Sequence, residues 1–90
     1  MLIRGITTLK NKVMIATHTI KDIYFDKDTM SLNIDGKFIE IAIEKISSKL
    51  KTANEFERQF YKISPSGYGI HWPLIDEDLS VDALLKTVSL

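Results

Sequence analysis

The residues with the most evident chemical potential lie close together near the C-terminus. Residues 67–73 contain the only tryptophan of the 90-residue chain and one of its two histidines, His71, and Asp76-Glu77-Asp78 follows shortly after. A histidine beside a carboxylate can act as a general base, and a histidine with several carboxylates can hold a divalent metal ion. If a turn at Pro73 folds the chain back, these acids come close to the imidazole of His71.

Two other interpretations of this segment compete with catalysis. In a strand over residues 67–72, alternation places Tyr68 and Trp72 on one face and His71 on the other. Trp72 then serves either as a buried core residue whose N–H binds a carbonyl, or as an apolar anchor at an interface. On the second interpretation, Tyr68, His71, Trp72 and the acids form an aromatic and acidic patch that faces a basic partner. The glycines on either side of Tyr68 indicate a backbone conformation or a close approach that a Cβ atom would prevent.

The chain lacks other residues that a familiar catalytic site needs. It contains no cysteine, which excludes a thiolate nucleophile, a thiolate zinc site and a disulfide framework. It also contains no serine motif or phosphate-binding glycine loop, and His18 lies too far away in sequence to be assigned to the same site. We therefore predict no cofactor and no bound metal.

The elements that position the segment begin with a predicted three-stranded antiparallel meander over residues 20–43. Residues 20–25 are apolar and β-branched, and Met30, Leu32 and Ile34 alternate with polar residues as in a half-buried strand. Asp35-Gly36 is a strong signal for a type I′ hairpin turn, because both positions of that turn need a positive φ. The third strand follows over residues 38–43.

The hydrophobic period then changes from that of a strand to that of a helix. Residues at spacings of three and four predict one amphipathic helix with lysines on its outer face: Ile43, Ile46, Leu50 and Ala53. Thr52 with Glu55 fits a capping box and predicts a second helix from about Ala53 to Gln59. We interpret the lysines and Arg58 as a solvated helix face rather than a phosphate-binding patch, because glutamates interleave with them and weaken the positive field.

The rest of the chain predicts a short strand and a final helix. Residues 60–63 are apolar enough for a strand, and Ser80 is placed to cap a C-terminal helix. The predicted fold class is therefore α+β: a small antiparallel β-meander with one or two amphipathic helices and a short C-terminal helix.

Charge is balanced overall but unevenly distributed. The chain has 12 basic and 12 acidic residues, yet residues 1–21 carry Arg4, Lys10, Lys12 and Lys21 with no acid, and residues 67–90 carry a net charge of −3. Such blocks can orient a partner or a second copy of the chain, and we expect a homodimer slightly more than a monomer. Nucleic-acid binding is disfavoured, because the domain has no net positive charge.

The N-terminus predicts a location and a domain boundary. Lys10, Asn11 and Lys12 interrupt the apolar stretch that a secretory signal needs, and no apolar run approaches the roughly 20 residues that span a bilayer. We therefore expect a cytoplasmic protein without a membrane partner. Residues 1–16 are interpreted as an extension, either loose or upstream of a true start at Met14, and residues 17–90 as a single α+β domain.

The string GYGIHWPLIDEDLSVDALL, residues 67–85, resembles the C-terminal signature of a bacterial family known as domain of unknown function 2442. The matching positions are Gly69, Ile70, His71, Trp72, Pro73, Asp76, Glu77, Asp78, Leu79 and Ser80. The resemblance covers about residues 19–86 and implies a small cytoplasmic bacterial protein. Genes of such proteins often lie beside those of another small uncharacterised family, which suggests toxin–antitoxin-like pairs. Ala83 stands where many members have glycine, which favours a helix there.

We therefore expect a non-enzymatic protein-interaction module, the antitoxin-like half of a two-gene pair, whose partner is another small bacterial protein. Its acidic C-terminal region would cover a basic surface of the partner, with Tyr68 and Trp72 as apolar anchors. The predicted binding or scaffold residues are Tyr68, Gly69, His71, Trp72, Pro73, Asp76, Glu77 and Asp78. The alternative is a small metal-dependent enzyme centred on His71 and the three consecutive acids.

Overall fold

The structure, a computed structural model, describes residues 17–88. The proposed extension over residues 1–16 and the alternative start at Met14 lie outside this range. In chain order the elements are β1 (Ile20–Phe25), β2 (Thr29–Ile34), β3 (Lys37–Ala42), a 3-10 turn (Ile43–Lys45), α1 (Ser48–Thr52), α2 (Glu55–Gln59), β4 (Lys62–Ile63), β5 (Gly69–Trp72), β6 (Glu77–Ser80) and α3 (Val81–Val88). Within residues 17–88, two antiparallel sheets and three α-helices confirm the α+β class.

The first sheet is the predicted meander, with strand order β1-β2-β3. Met30, Leu32 and Ile34 of β2 are all buried, as their alternation with polar residues predicts. Asp35 and Gly36 have φ values of 54° and 88°, so both positions of the tight turn are left-handed. This backbone geometry confirms the predicted type I′ hairpin.

The prediction of one continuous helix after the meander is wrong. The chain makes a 3-10 turn over Ile43–Lys45, and α1 begins separately at Ser48. The reason is Ser47, whose buried hydroxyl accepts a hydrogen bond from the Leu50 N–H at 3.0 Å and so caps a new helix. A serine hydroxyl that competes for backbone groups favours a helix start over a helix interior.

The capping box of the next helix lies two residues later than predicted. Asn54 Oδ1 accepts from the Glu57 N–H at 2.8 Å, and Glu57 Oε1 accepts from the Asn54 N–H at 2.9 Å. Thr52 instead ends α1, where its hydroxyl donates to the Ser48 carbonyl at 3.2 Å. The second helix exists as predicted, but it is α2 over Glu55–Gln59.

The second sheet has strand order β4-β5-β6 and contains the segment singled out by the sequence. Ile70 and Trp72 of β5 are buried against the first sheet in one hydrophobic core. Glu77 and Asp78 lie in β6, which leads directly into α3. Ser80 accepts from the Ala83 N–H at 3.2 Å, which confirms its predicted role at the start of α3. Within residues 17–88, no helix is long and apolar enough to cross a membrane.

Candidate functional site

A groove of about 940 Å³ lies against the second sheet. Its lining residues are Lys62, Ile63, Ser64, Pro65, Tyr68, Gly69, Ile70, His71, Asp78, Leu79, Ser80 and Asp82. Gly69 leaves the groove open, because it has no side chain. A Cβ built on Gly69 would meet only the Leu79 carbonyl oxygen, at 3.2 Å.

Tyr68 and Trp72, the two predicted apolar anchors, lie in opposite environments. Tyr68 comes just before β5 and remains 57% exposed, whereas Trp72 is 0% exposed. The Trp72 indole Nε1–H donates to the Arg58 carbonyl at 3.0 Å, and its ring packs against Phe25 and Tyr61 at centroid distances of 6.4 and 6.3 Å. Trp72 is therefore a core residue, and the prediction that it contacts a partner directly is wrong.

The three consecutive acids do not act together, because the turn and the strand direct them differently. Asp76 lies in the β5–β6 turn with a φ of 51°, and its carbonyl accepts from Lys49 Nζ at 2.8 Å. Glu77 accepts a hydrogen bond from the Ser47 hydroxyl and so ties β6 to the cap of α1. Only Asp78 of the three lines the groove.

Asp78 meets His71 across the β5–β6 pair. The two residues are partners in the strand register, and His71 Nδ1 lies 2.9 Å from Asp78 Oδ1. Lys62 of β4 is the partner of His71 on its other side, so a lysine, a histidine and an aspartate form one row across the sheet. The expectation that the acids fold back toward the imidazole is confirmed for Asp78 alone.

His18 is the functional candidate that the sequence reasoning left out. Its side chain is only 11% exposed, with Nδ1 2.7 Å from Asp35 Oδ2 and Nε2 3.2 Å from Asp82 Oδ1. Its backbone N–H donates to the Ser66 carbonyl at 2.9 Å. His18 thus joins the β2–β3 turn, the β4–β5 loop and α3. No local pattern could have revealed this contact, because its partners lie 17 and 64 positions away.

The two carboxylates determine the protonation of His18. The hydrogen bond that the imidazole donates to Asp35, with a smaller contribution from the bond to Asp82, raises the pKa of His18 above its ordinary value, although burial opposes the shift. The same contact with His18, helped by the Thr19 N–H, lowers the pKa of Asp35. Both ring nitrogens face carboxylate oxygens, and an imidazole can donate from both nitrogens only when it is protonated.

Arg58 has a structural role and does not contribute to a phosphate site. It is buried, and its guanidinium donates at 3.0–3.2 Å to the carbonyls of Leu50, Asp26, Lys27 and Lys51. These bonds connect α1, α2 and the β1–β2 turn, while the Arg58 carbonyl receives the Trp72 indole. The prediction that Arg58 belongs to a solvated helix face is therefore wrong, and the phosphate-binding alternative also loses its arginine.

The groove has some of the parts that catalysis needs. His71 and Asp78 form the pair that a general base uses. The nearby hydroxyls of Ser64 and Ser80, however, accept backbone N–H groups of Gly69 and Ala83 at 3.0 and 3.2 Å. Across the part of the chain that the structure describes, no three histidine or acidic residues are grouped to hold a metal ion.

Comparison with known proteins identifies the family. The model of a family described as protein of unknown function (DUF2442) matches residues 20–88. Neither the curated proteins nor the solved structures include a match. The matched range includes the groove, the His71–Asp78 pair and α3, and it agrees with the resemblance seen in the GIHWP and DEDLS residues. Since this match covers well over half of the chain, the protein belongs to the DUF2442 family.

Proposed function

We propose that this protein is a non-enzymatic interaction module whose groove binds a basic segment of another protein. The observation that carries the proposal is the combination of Tyr68, 57% exposed, with two groove carboxylates that are largely open to solvent. The side chains of Asp78 and Asp82 are 77% and 65% exposed. Lys62 is the one lysine among the groove residues, so with neutral histidines the lining is acidic.

The chemistry of the lining favours a protein ligand with both apolar and basic groups. An exposed tyrosine supplies a large, rigid contact area at low entropic cost, which makes it a frequent centre of binding energy at interfaces. The open floor at Gly69 lets a ligand side chain approach the sheet backbone, and Asp78 and Asp82 can pair with lysine or arginine. Trp72 supports the site from the core, because it holds β5 in place through Arg58.

The finer proposal is that the protein is the antitoxin-like half of a bacterial two-gene pair and acts in the cytoplasm. The family resemblance supports this proposal by association, since related genes often lie beside those of a second small family. The mechanism would be occlusion: the groove and its acidic rim cover a basic surface that the partner needs for its own activity. A partner encoded by the adjacent gene is the expected ligand.

A comparative pull-down tests the proposal. The tagged full chain, its Tyr68→Ala and Asp78→Asn variants and a Tyr24→Ala control would be incubated with native lysate after nuclease treatment. Tyr24 suits as a control because it is an equally accessible tyrosine, 70% exposed, on the other sheet. We expect a protein partner that the wild type and Tyr24→Ala retain and that both groove variants lose. The partner is then purified and its binding measured by calorimetry.

Two results would count against the proposal. A partner retained equally by all four proteins binds elsewhere, and the absence of any partner at native expression contradicts an interaction module.

Sedimentation of the purified chain tests whether a second copy occupies the groove, as the homodimer prediction requires. In that case Tyr68→Ala gives a monomer.

The alternative function, a small metal-dependent enzyme, is favoured by the 2.9 Å contact between His71 and Asp78. Calorimetric titration with divalent zinc and manganese separates it from the interaction module. Micromolar binding that His71→Ala removes favours the enzyme. An absence of heat in both proteins contradicts it.

A further inference from the structure

Both histidines of the chain pair with the two carboxylates that line the groove. The chain has two histidines in total, His18 and His71. His71 lies 2.9 Å from Asp78, and His18 lies 3.2 Å from Asp82. Asp78 and Asp82 are the acidic residues of the groove lining, so every groove carboxylate has an imidazole beside it.

We propose that His18 and His71 make the groove a pH-gated site, which binds basic protein segments above neutral pH and releases them in acid. The proposal rests on the function proposed above and adds its regulation. Imidazole is the side chain that ordinarily changes its charge between about pH 5 and pH 8, while carboxylates and lysines keep theirs. Protonation of the two imidazoles therefore changes the charge at the groove.

Protonation of the two histidines removes the net negative charge in and beside the groove. With both histidines protonated, three positive groups (Lys62, His71 and His18) face three carboxylates (Asp78, Asp82 and Asp35). With both histidines neutral, one positive group faces the same three carboxylates. A basic ligand therefore meets no net attraction in acid and net attraction above neutral pH.

The geometry around His18 determines which carboxylate is released first. A neutral imidazole can donate one hydrogen bond, and Asp35 is the nearer acceptor at 2.7 Å. Asp35 is also held in position by the Thr19 N–H, which donates to its second oxygen at 2.8 Å. Asp82 has the longer contact, so loss of the proton leaves Asp82 free for a ligand.

Each histidine faces charged groups from more than one element of the fold. His18 faces Asp35 from the β2–β3 turn and Asp82 from α3, while the β4–β5 loop presents the Ser66 carbonyl to the His18 backbone N–H. His71 faces Asp78 from β6 and has Lys62 as its register partner on β4. The raised pKa of His18 indicates that its switch occurs at a higher pH than that of an ordinary histidine.

The test uses a defined probe and the full-length protein. The probe is an amidated peptide of alternating lysine and leucine, and a peptide of alternating glutamate and leucine is the control. Calorimetry at about pH 5 and about pH 8 compares the wild type with His71→Gln and with the double variant His18→Gln/His71→Gln. Circular dichroism at both pH values verifies folding, and His71→Gln leaves the buried contacts of His18 intact.

We expect the wild type to bind the lysine probe about tenfold or more weakly at the lower pH, since charges at contact distance change affinity on that scale. We expect the affinity of His71→Gln for the lysine probe to depend less on pH. We expect the double variant to bind the probe with the same affinity at both pH values. If the wild type binds equally at both pH values, or the double variant keeps the dependence, the gate is wrong while the groove remains a site for basic segments. If the lysine probe binds at neither pH, both the gate and the proposed function are contradicted.

Discussion

Gly67 is the position where one added methyl group tests the junction between the two halves of the fold. Its φ is +72°, and a Cβ atom there would lie 1.9 Å from the backbone oxygen of His18 and 2.8 Å from its carbonyl carbon. No side-chain rotation relieves a contact with backbone atoms, so residue 18 must move by roughly an ångström to restore a normal separation. Gly67→Ala is therefore expected to separate His18 from the β4–β5 loop.

The destabilisation expected from Gly67→Ala has two contributions. A non-glycine residue in the left-handed region costs about 1–2 kcal/mol, and loss of the hydrogen bond from the His18 N–H to the Ser66 carbonyl adds about 1 kcal/mol. The matched control is Gly36→Ala. Gly36 has a similar φ of +88°, but a Cβ atom there meets nothing within 4 Å. Gly36→Ala therefore introduces only the unfavourable left-handed backbone. We expect the free energy of unfolding of Gly67→Ala to be lower than that of Gly36→Ala by about 1 kcal/mol or more.

Urea unfolding measures the comparison, with the free energy of unfolding obtained by linear extrapolation for each variant. NMR spectra of the imidazole protons report whether His18 leaves its contacts with Asp35 and Asp82. Equal destabilisation by the two substitutions would refute the reasoning, because the close approach of Gly67 to His18 would then contribute nothing.

Two further predictions concern the core and the buried histidine. Trp72→Ala should lower the free energy of unfolding by about 3–5 kcal/mol, because it leaves a cavity in a fully buried site and removes the donor to the Arg58 carbonyl. The near-ultraviolet circular dichroism signal should also be lost. Trp72→Phe should lower the free energy of unfolding by less. A stable, folded Trp72→Ala protein would contradict the core assignment. The raised pKa of His18 gives a contribution to stability that is complete below about pH 6.5 and is lost as the pH rises through the folded-state value. Relative to His18→Gln, the melting temperature of the wild type should therefore fall as the pH rises above about 6.5, and a difference that stays constant with pH in calorimetry would contradict the ion-paired geometry.

The elements that could be predicted from the sequence are those whose cause is local. Asp35-Gly36 specifies its own turn, because the tight hairpin needs left-handed backbone that these residues tolerate. The alternation in β2 specifies its buried face, and Ser80 specifies the start of α3. The glycines around Tyr68 correctly indicated a close approach, which the structure locates at Gly67.

Two wrong predictions, the continuous helix and the partner contact of Trp72, have physical causes. One is competition between a helix cap and a helix interior, and the other is packing. Hydrophobic spacing continued through Ser47, but the hydroxyl of that residue caps a new helix and so ends the predicted continuous one. Trp72 had two acceptable environments as far as the sequence is concerned. The packed fold places Trp72 in the core, where Phe25 and Tyr61 contact its ring and the Arg58 carbonyl, 14 positions away, accepts the indole N–H.

The sequence by itself determined the α+β class, the hairpin, the final helix and the segment that contains the groove, because turn residues, caps and periodicity act over a few neighbouring positions. Only the tertiary structure decided which acids and histidines meet. Adjacent residues Glu77 and Asp78 point to different partners because successive side chains of a strand alternate between its faces. His18 reaches Asp82 across 64 positions because the two sheets pack together, and a contact made by packing leaves no local pattern in the chain.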